Sequence, residues 1–170
     1  MELEQAIRTR RTHKAYAPEP LDRGTLDELF ELARWAPNHK LTNPWRFRVV
    51  GPQALDALKA ACDDPIAAAK LDRAPTLVAV STTQSGDPVM DEEDLLAAAT
   101  AAYIVLLAAH GRGLAGYWRT PGVLRTAAGR TALAVAEDEL VFGLLHLGHP
   151  RQEPRVPERA DLAEVVSYLD

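Results

Sequence analysis

The stretch "RTRRTHKAYAPEPL" (residues 8–21) concentrates positive charge in a chain whose formal net charge is −5. Its basic side chains fall within seven positions, and they are Arg8, Arg10, Arg11, His13 and Lys14. In an extended segment alternate residues point to one face, so Arg10, Thr12 and Lys14 can converge. A guanidinium, a hydroxyl and an ammonium together suit a phosphate monoester. The alternative is a basic surface segment with no ligand.

The bulk composition favours a small anionic ligand over a polymeric one. A chain of 170 residues has the size of one domain and can bury a core. With 47% hydrophobic and 25% charged residues, it has the composition of a globular protein rather than a disordered one. The net negative charge argues against nucleic acid or an anionic membrane as a partner.

Cysteine usage and the apolar segments bear on the chemistry and the location of the chain. The single cysteine, Cys62, excludes an intrachain disulfide framework, and its alanine-rich surroundings favour a small buried side chain over a nucleophile. The N-terminus has no apolar run typical of a signal peptide. The longest apolar run, residues 95–109, is short and rich in alanine, which predicts a helix buried in protein. We therefore expect a cytoplasmic protein with no metal site.

Helical spacing predicts four helices before the tail. The first contains Leu3, Ala6 and Ile7, and the second follows Thr25, which we expect to cap it with Glu28 in a capping box. The third and the long fourth helix cover residues 52–64 and 92–110. Strand patterns occupy "PWRFRVVG" (44–51), the central "APTLVAVSTT" (74–83), "LAGYWRT" (114–120) and "ELVFGLLHLGHP" (139–150).

The proline-rich start of "RQEPRVPERADLAEVVSYLD" (151–170) is too polar to pack on its own core, so this tail is expected to reach a partner chain. No "GxGxxG" or "GxxxxGK[ST]" occurs, which excludes the usual dinucleotide and triphosphate loops.

A second stretch, "RWAPNHKLTNPWRF" (34–47), joins a helix end to a strand start. Such a loop can place amide and imidazole groups at a cleft. Taken singly, His39 reads more often as a surface histidine and Trp45 as a core residue. Together with the basic stretch, however, they favour a specific binding site over unrelated surface and core residues.

These two stretches, with "LAGYWRTPG" and "LLHLGHPRQEP", resemble the nitroreductase family of FMN-dependent oxidoreductases, in family order and over nearly the whole chain. The "APNHK…PW" version is similar to the short YdjA-type NAD(P)H nitroreductases. The resemblance implies an α+β fold with a mostly antiparallel central sheet flanked by helices. It also implies a single FMN-binding domain over residues 1–170, an intertwined homodimer, and a C-terminal arm of about residues 150–170 that reaches the partner subunit.

The resemblance further implies which side chains contact FMN. Those matching the flavin phosphate and ribityl contacts are Arg10, Arg11 and Thr12, with Lys14 near the pyrimidine edge. Trp35 and His39 match positions that contact the flavin from the partner subunit. A late segment beside the flavin corresponds to Trp118, Arg119 and Thr120, and Arg159 matches the arginine of the arm that reaches the phosphate.

This chain departs from the family pattern beside the flavin edge. Leu41 stands where many relatives have asparagine, and Asn43 replaces a glutamine. The hydrogen bonds to the ring edge must then come partly from elsewhere, and His39 and Lys40 are the candidates.

The implied activity is NAD(P)H oxidation coupled to reduction of nitroaromatics, quinones or similar small acceptors, by ping-pong hydride transfer through flavin N5. The protein itself supplies no catalytic acid or base, in agreement with the lack of a recognisable triad or metal set. Alternatives are a non-catalytic FMN storage protein, another flavin reductase on the same fold (a dehalogenase, enoate or pteridine reductase), and a flavin-free interaction domain. The sequence names neither the physiological acceptor nor a preference between NADH and NADPH.

Overall fold

The computed structural model describes residues 1–169 and contains one four-stranded sheet. The strands are β1 (Trp45–Val49), β2 (Thr76–Thr83), β3 (Ala115–Arg119) and β4 (Glu139–Gly148), in the spatial order β1-β2-β4-β3. All three neighbouring pairs are antiparallel. The predicted α+β class with an antiparallel sheet is thereby confirmed. The strand predicted to be central, residues 74–83, corresponds to β2. This strand lies between β1 and β4 and is buried along nearly its whole length.

The described part of the chain contains seven α-helices, of which the long α5 packs directly on the sheet. They are α1 (Leu3–Thr9), α2 (Arg23–Ala33), α3 (Pro52–Ala60), α4 (Pro65–Ala69), α5 (Pro88–Gly111), α6 (Ala127–Ala132) and α7 (Leu162–Val165). Short 3₁₀ turns occupy His39–Leu41, Lys70–Arg73 and Gly122–Arg125.

The long helix α5 explains the longest apolar run of the sequence. Asp87 caps it by accepting hydrogen bonds from the backbone N–H groups of Val89 and Met90 at 2.9 and 3.3 Å. By length and hydropathy α5 could cross a membrane. However, it packs against α2 and the sheet, and its buried face, from Asp94 to Ala109, consists largely of alanine. Small side chains let the helix lie close to its neighbours, so the apolar run serves the core.

The sheet separates two apolar cores. One holds the inner faces of α2 and α5 together with Val78, Val80, Leu145 and Leu147. The other joins Leu77, Ala79 and Leu144 to residues of α3 and the Gly122–Arg125 turn. Alternation along β4 sends Leu145 to the first core and Leu144 and His146 to the second. The alternating pattern therefore decides which side chains can meet a ligand on each face.

The starts predicted for α2 and α5 differ from those in the structure. Asp22, not Thr25, caps α2, because its Oδ1 accepts a hydrogen bond from the Thr25 N–H at 3.0 Å. The prediction that Thr25 is the cap was therefore wrong. The long helix begins at Pro88, four residues before its predicted start, because Asp87 and Pro88 form a cap and first turn.

Candidate functional site

A concave cavity of about 590 Å³, the basic cavity, opens between the N-terminal basic stretch and the arm. Its wall consists of residues 10–14, Tyr117 of β3, residues 152–155, Pro157 and Arg159. Its volume lies within the roughly 300–1,000 Å³ of typical small-molecule sites. The structure thus brings five of the sequence-predicted site residues together: Arg10, Arg11, Thr12, Lys14 and Arg159.

Backbone contacts to the sheet edge hold the basic stretch in place. Thr12 forms a bridge with Gly116, and the His13 N–H donates to the Gly116 carbonyl at 3.1 Å. The buried Tyr16 hydroxyl donates to the His13 carbonyl at 2.9 Å. On the other side, the Ala17 N–H donates to the carbonyl of His149, where the arm begins, at 2.9 Å. The stretch is therefore fixed between β3 and the arm.

The basic cavity holds cations without acidic partners. Among the described residues, Arg10, Lys14, Arg155 and Arg159 form no ion pair with an aspartate or glutamate. The Arg10 guanidinium lies 5.8 Å from the centre of the Tyr103 ring, which orients it without neutralising it. Unpaired cations that converge on a cavity attract an anion.

Arg11 differs from its neighbours, because its guanidinium turns back onto the end of α1. Its Nη1 donates to the carbonyls of Arg8 and Arg10 at 2.7 and 2.8 Å. Those carbonyls lie at the helix C-terminus, where a cation is favourable. Its Nε is buried and has no partner among the described residues.

His13 is a buried residue of the wall that the sequence analysis did not select. Only 9% of it is exposed, and its Nδ1 has no hydrogen-bond partner in the described part of the chain. Burial is the main cause that lowers the pKa of His13; Glu153 opposes this and Arg10 adds to it. The imidazole is therefore neutral near pH 7.

The second stretch forms a strained loop, which we call the 38–43 loop. Lys40, Leu41 and Asn43 have φ values of 53°, 55° and 48°, a left-handed region that side chains other than glycine rarely adopt. Two side-chain contacts tie the loop to α5: His39 Nδ1 to Glu93 Oε2, and Thr42 Oγ1 to Asp94 Oδ1, both at 2.6 Å. Strain of this kind clusters at binding sites.

Trp35 and His39 do not line the basic cavity of their own chain. Trp35 is 74% exposed and, with Leu41 and Asn43, lines a separate shallow depression. His39 lies on the loop with its Nδ1 engaged by Glu93.

The three residues predicted beside the flavin from β3 point in different directions. Trp118 packs on Phe142 with ring centres 5.7 Å apart, and a side chain at Gly143 would collide with its indole. Arg119 points to the other face, where its Nη1 donates to the Lys70 carbonyl at 3.0 Å. Thr120 follows the strand and is exposed. None of the three lines the basic cavity, whereas Tyr117 does.

Sequence reasoning also missed Tyr117 and Arg155 as wall residues. Tyr117 shares a face with Arg119, and its ring lies 5.8 Å from that of the buried His146. Strand alternation could have suggested Tyr117, but only if it were known which face of β3 lies toward the basic stretch. Arg155 lies in the arm, which folds back over the basic stretch, and no local pattern indicates that.

Comparison with known proteins agrees with this architecture. The model of the nitroreductase family matches residues 7–149. YdjA of Escherichia coli K12, named as a candidate NAD(P)H nitroreductase, is 25% identical over 88% of this chain and 88% of its own.

Two solved structures are similar over their full length. A nitroreductase-like family protein from Bacillus cereus superposes with a TM-score of 0.91 at 21% identity, covering 100% of this chain and 97% of that one. A candidate nitroreductase from Desulfovibrio desulfuricans, solved in complex with FMN, gives a TM-score of 0.82 at 26% identity, with 99% and 96% coverage. These similarities confirm the predicted fold.

Proposed function

Since the chain belongs to the nitroreductase family and is thus an oxidoreductase, we propose that it binds FMN and reduces small acceptors with electrons from NAD(P)H. Nitroaromatics and quinones are the acceptor classes, and donor and acceptor use the same site in turn. The observation that carries the proposal is the basic cavity with its unpaired cations. The FMN complex of the Desulfovibrio relative and the NAD(P)H named for YdjA support it.

The residues of the basic cavity fit a flavin mononucleotide. Arg10, Arg155 and Arg159 offer guanidinium donors for a phosphate monoester, and the exposed Thr12 hydroxyl adds a directional bond. Because these cations have no acidic partners among the described residues, binding a phosphate would break no ion pair. The exposed Lys14 ammonium would supply positive charge to the isoalloxazine part of the ligand.

FMN, when bound, supplies the hydride-accepting and electron-donating chemistry at its N5. The chain's own residues then have to position ligands and set charge. Lys14 would stabilise the negative charge that the site gains on reduction, and Tyr117 forms an apolar wall of the cavity. The chemistry needs no protein acid or base.

Homodimer formation is part of the proposal. Large apolar side chains are exposed at several places, and two pairs of them bear on assembly: Trp35 and Leu41 around the 38–43 loop, and Tyr168 and Leu169 in the arm. Exposed apolar groups of this kind mark interaction surfaces. We infer that the end of the arm, around Tyr168 and Leu169, packs on the partner while its earlier part stays on its own chain's basic cavity, and that Trp35 and His39 reach the partner's basic cavity. Asp170, the last residue of the predicted arm, lies outside the described residues.

A visible absorption spectrum of the purified protein tests the cofactor, and anaerobic addition of NADH or NADPH tests turnover. We expect a yellow protein whose flavin band disappears with either nucleotide and returns with a nitroaromatic or a quinone. Bound flavin that neither nucleotide reduces would indicate a storage protein instead. Protein that is colourless and does not take up added FMN would contradict the whole proposal. The cytoplasmic location expected from the sequence belongs to the same proposal.

A further inference from the structure

The wall of the basic cavity carries more positive charge than one phosphate monoester can neutralise. Five cationic side chains line it, and Glu153 is the one acidic side chain in the described wall, so the formal charge of the wall is +4. The cations are Arg10, Arg11, Lys14, Arg155 and Arg159. The buried His13 adds no charge near pH 7, because burial is the main cause that lowers the pKa of its imidazole.

Bound flavin would leave part of this positive charge in place. Within residues 1–169, none of the five cations forms an ion pair, and neither does the exposed Glu153. A phosphate monoester carries about −2 near pH 7, and reduction of the flavin would add about −1. The loaded cavity therefore keeps a net positive charge in both redox states.

Positive charge continues into a depression of about 490 Å³ beside the basic cavity. The two adjoin along the chain, because residues 14 and 152 line the basic cavity and residues 15 and 151 line the depression. Arg73 and Arg151 lie in its wall, both exposed and without an ion pair to any residue that the structure describes. Asp72 also lines the depression, but its two carboxylate oxygens accept from Lys59 Nζ at 2.9 and 2.8 Å. The depression thus extends the positive region without adding a free carboxylate.

This local positive charge contrasts with the rest of the chain, whose formal net charge is −5. At physiological ionic strength, interactions between exposed charges more than about 8 Å apart are largely screened. A ligand inside the cavity therefore responds to the charge of the wall more than to the net charge of the chain. The cavity attracts anions although the protein as a whole is acidic.

We propose that the flavin-loaded cavity selects electron acceptors that carry an anionic group, a sulfonate or a carboxylate, over neutral acceptors of the same shape. This inference rests on the proposed function, in which donor and acceptor use the same site in turn. In each turnover a nitro group takes up two electrons and two protons and loses water to give a nitroso group. NAD(P)H supplies a hydride and solvent supplies the second proton. The fixed charge of the wall therefore acts on which acceptor binds and leaves the balance of the reaction unchanged.

Inhibition by benzenesulfonate and benzenesulfonamide tests this preference, because the two compounds nearly match in shape and differ in charge near pH 7. Neither contains a nitro group, so a difference in reactivity does not enter the comparison. With 4-nitrobenzenesulfonamide as the acceptor, the inhibition constant of benzenesulfonate should be lower by about threefold, the effect of one net charge about 6 Å away in water. The difference should shrink as the salt concentration rises. Equal inhibition constants, or a lower one for the sulfonamide, would overturn the proposal.

Glu153→Gln and Glu158→Gln form a matched pair of variants. Both glutamates are exposed on the arm, and both substitutions raise the net charge of the chain by the same amount, but Glu158 does not line the basic cavity. The measurement is the ratio of kcat/KM for 4-nitrobenzenesulfonate to that for 4-nitrobenzenesulfonamide, so the intrinsic reactivities of the two acceptors cancel between variants. Glu153→Gln should raise this ratio by about two- to threefold, and Glu158→Gln should leave it at the parent value. An unchanged ratio in Glu153→Gln, or an equal rise in both variants, would contradict the assignment of the preference to the wall.

Failure of this inference differs from failure of the proposed function. Protein that binds FMN, is reduced by NAD(P)H and does not distinguish the charged from the neutral compounds would contradict the acceptor preference alone. Protein that takes up no FMN would contradict the proposed function and this inference with it.

Discussion

Along residues 10–14, the alternation of an extended chain decides which cations remain free for a ligand. Arg10 forms no ion pair and is oriented by Tyr103, whereas Arg11 Nη1 donates hydrogen bonds to two carbonyls at the end of α1. The sequence predicted the shared face of Arg10, Thr12 and Lys14, because that follows from the geometry of an extended segment. It could not predict the different use of Arg11, which depends on where α1 ends.

Replacing Arg10 by alanine should weaken FMN binding by about 2–3 kcal/mol, the upper range for a hydrogen bond to a charged group. The expected physical cause is loss of a guanidinium that faces the phosphate. Fluorescence titration of the flavin measures the dissociation constant. Arg23→Ala is the matched control, since the Arg23 side chain is 94% exposed on α2 and away from the cavity. Equal flavin retention by Arg10→Ala and the parent would refute the phosphate contact.

Tyr16→Phe should lower the free energy of unfolding by about 1–2 kcal/mol and weaken FMN binding as well. Its hydroxyl donates to the buried His13 carbonyl, which would be left without that partner. Loss of the bond loosens the basic stretch that forms the cavity wall. Urea unfolding and flavin titration measure the two effects. Tyr168→Phe, at a hydroxyl on a 92% exposed side chain, should leave the free energy of unfolding unchanged.

At the scale of elements, β4 carries a buried histidine that ties stability to pH. His146 is fully buried, neither ring nitrogen has a partner among the described residues, and burial lowers its pKa from 6.5 to about 3. Between these pH values the unfolded chain binds a proton that the folded chain does not. Stability contributed by neutral His146 is therefore complete above about pH 6.5 and falls as the pH drops toward 3.

Unfolding by urea at pH 7 and pH 4.5, at one FMN concentration, checks this dependence. Lowering the pH from 7 to 4.5 should reduce the free energy of unfolding of the parent by about 2–3 kcal/mol more than that of His146→Leu, which has no imidazole at this position. His149→Gln, the matched control at an exposed histidine of the chain, should retain the parent's slope. Parallel slopes for the parent and His146→Leu would contradict the assignment.

Because the 38–43 loop is strained, we expect glycine to give a more stable protein than alanine there, which is the reverse of their order inside a helix. At Leu41, with φ at 55°, Leu41→Gly should be more stable than Leu41→Ala by about 1 kcal/mol, because glycine tolerates a left-handed conformation. At Leu32, an exposed position inside α2, the same pair of substitutions should show the reverse order by a similar amount. Thermal or urea unfolding measures both pairs. The same order at both positions would show that the loop stores no strain.

Periodicity predicted the four strands and the helices α1, α2, α3 and α5, but it wrongly extended α3 to residue 64 and missed the short helices α4 and α6. All four strands lie within the predicted ranges, because alternation and β-branched residues mark them clearly. The predicted cap of α2 was wrong because Asp22 and Thr25 are both good capping residues. Which of the two caps the helix depends on where the backbone becomes helical, and here the Asp22 side chain accepts from Thr25. The positive φ values of the 38–43 loop carry no sequence signal, since none of the three residues is glycine.

At the scale of the whole molecule, the site depends on tertiary packing that no local pattern specifies. The basic stretch was predictable because its charges are consecutive. Tyr117 and Arg155 were not, because β3 and the arm approach the stretch only after the chain folds back. The positions of Trp35 and His39 outside their own chain's cavity leave their role as a prediction about the partner subunit.

Dilution should therefore release the cofactor together with the partner. Each proposed flavin site combines the basic cavity of one chain with Trp35 and His39 of another, so a monomer would lack the contacts of those two side chains. Sedimentation velocity over a concentration series, recorded at a protein wavelength and a flavin wavelength, should show yellow dimers and colourless monomers. Tyr168→Asp, which places a charge on an exposed apolar group of the arm, should raise the concentration at which both changes occur, and raise it equally for both. Monomers that sediment with bound flavin would mean that one chain forms the complete site, and the predicted roles of Trp35 and His39 would then be wrong.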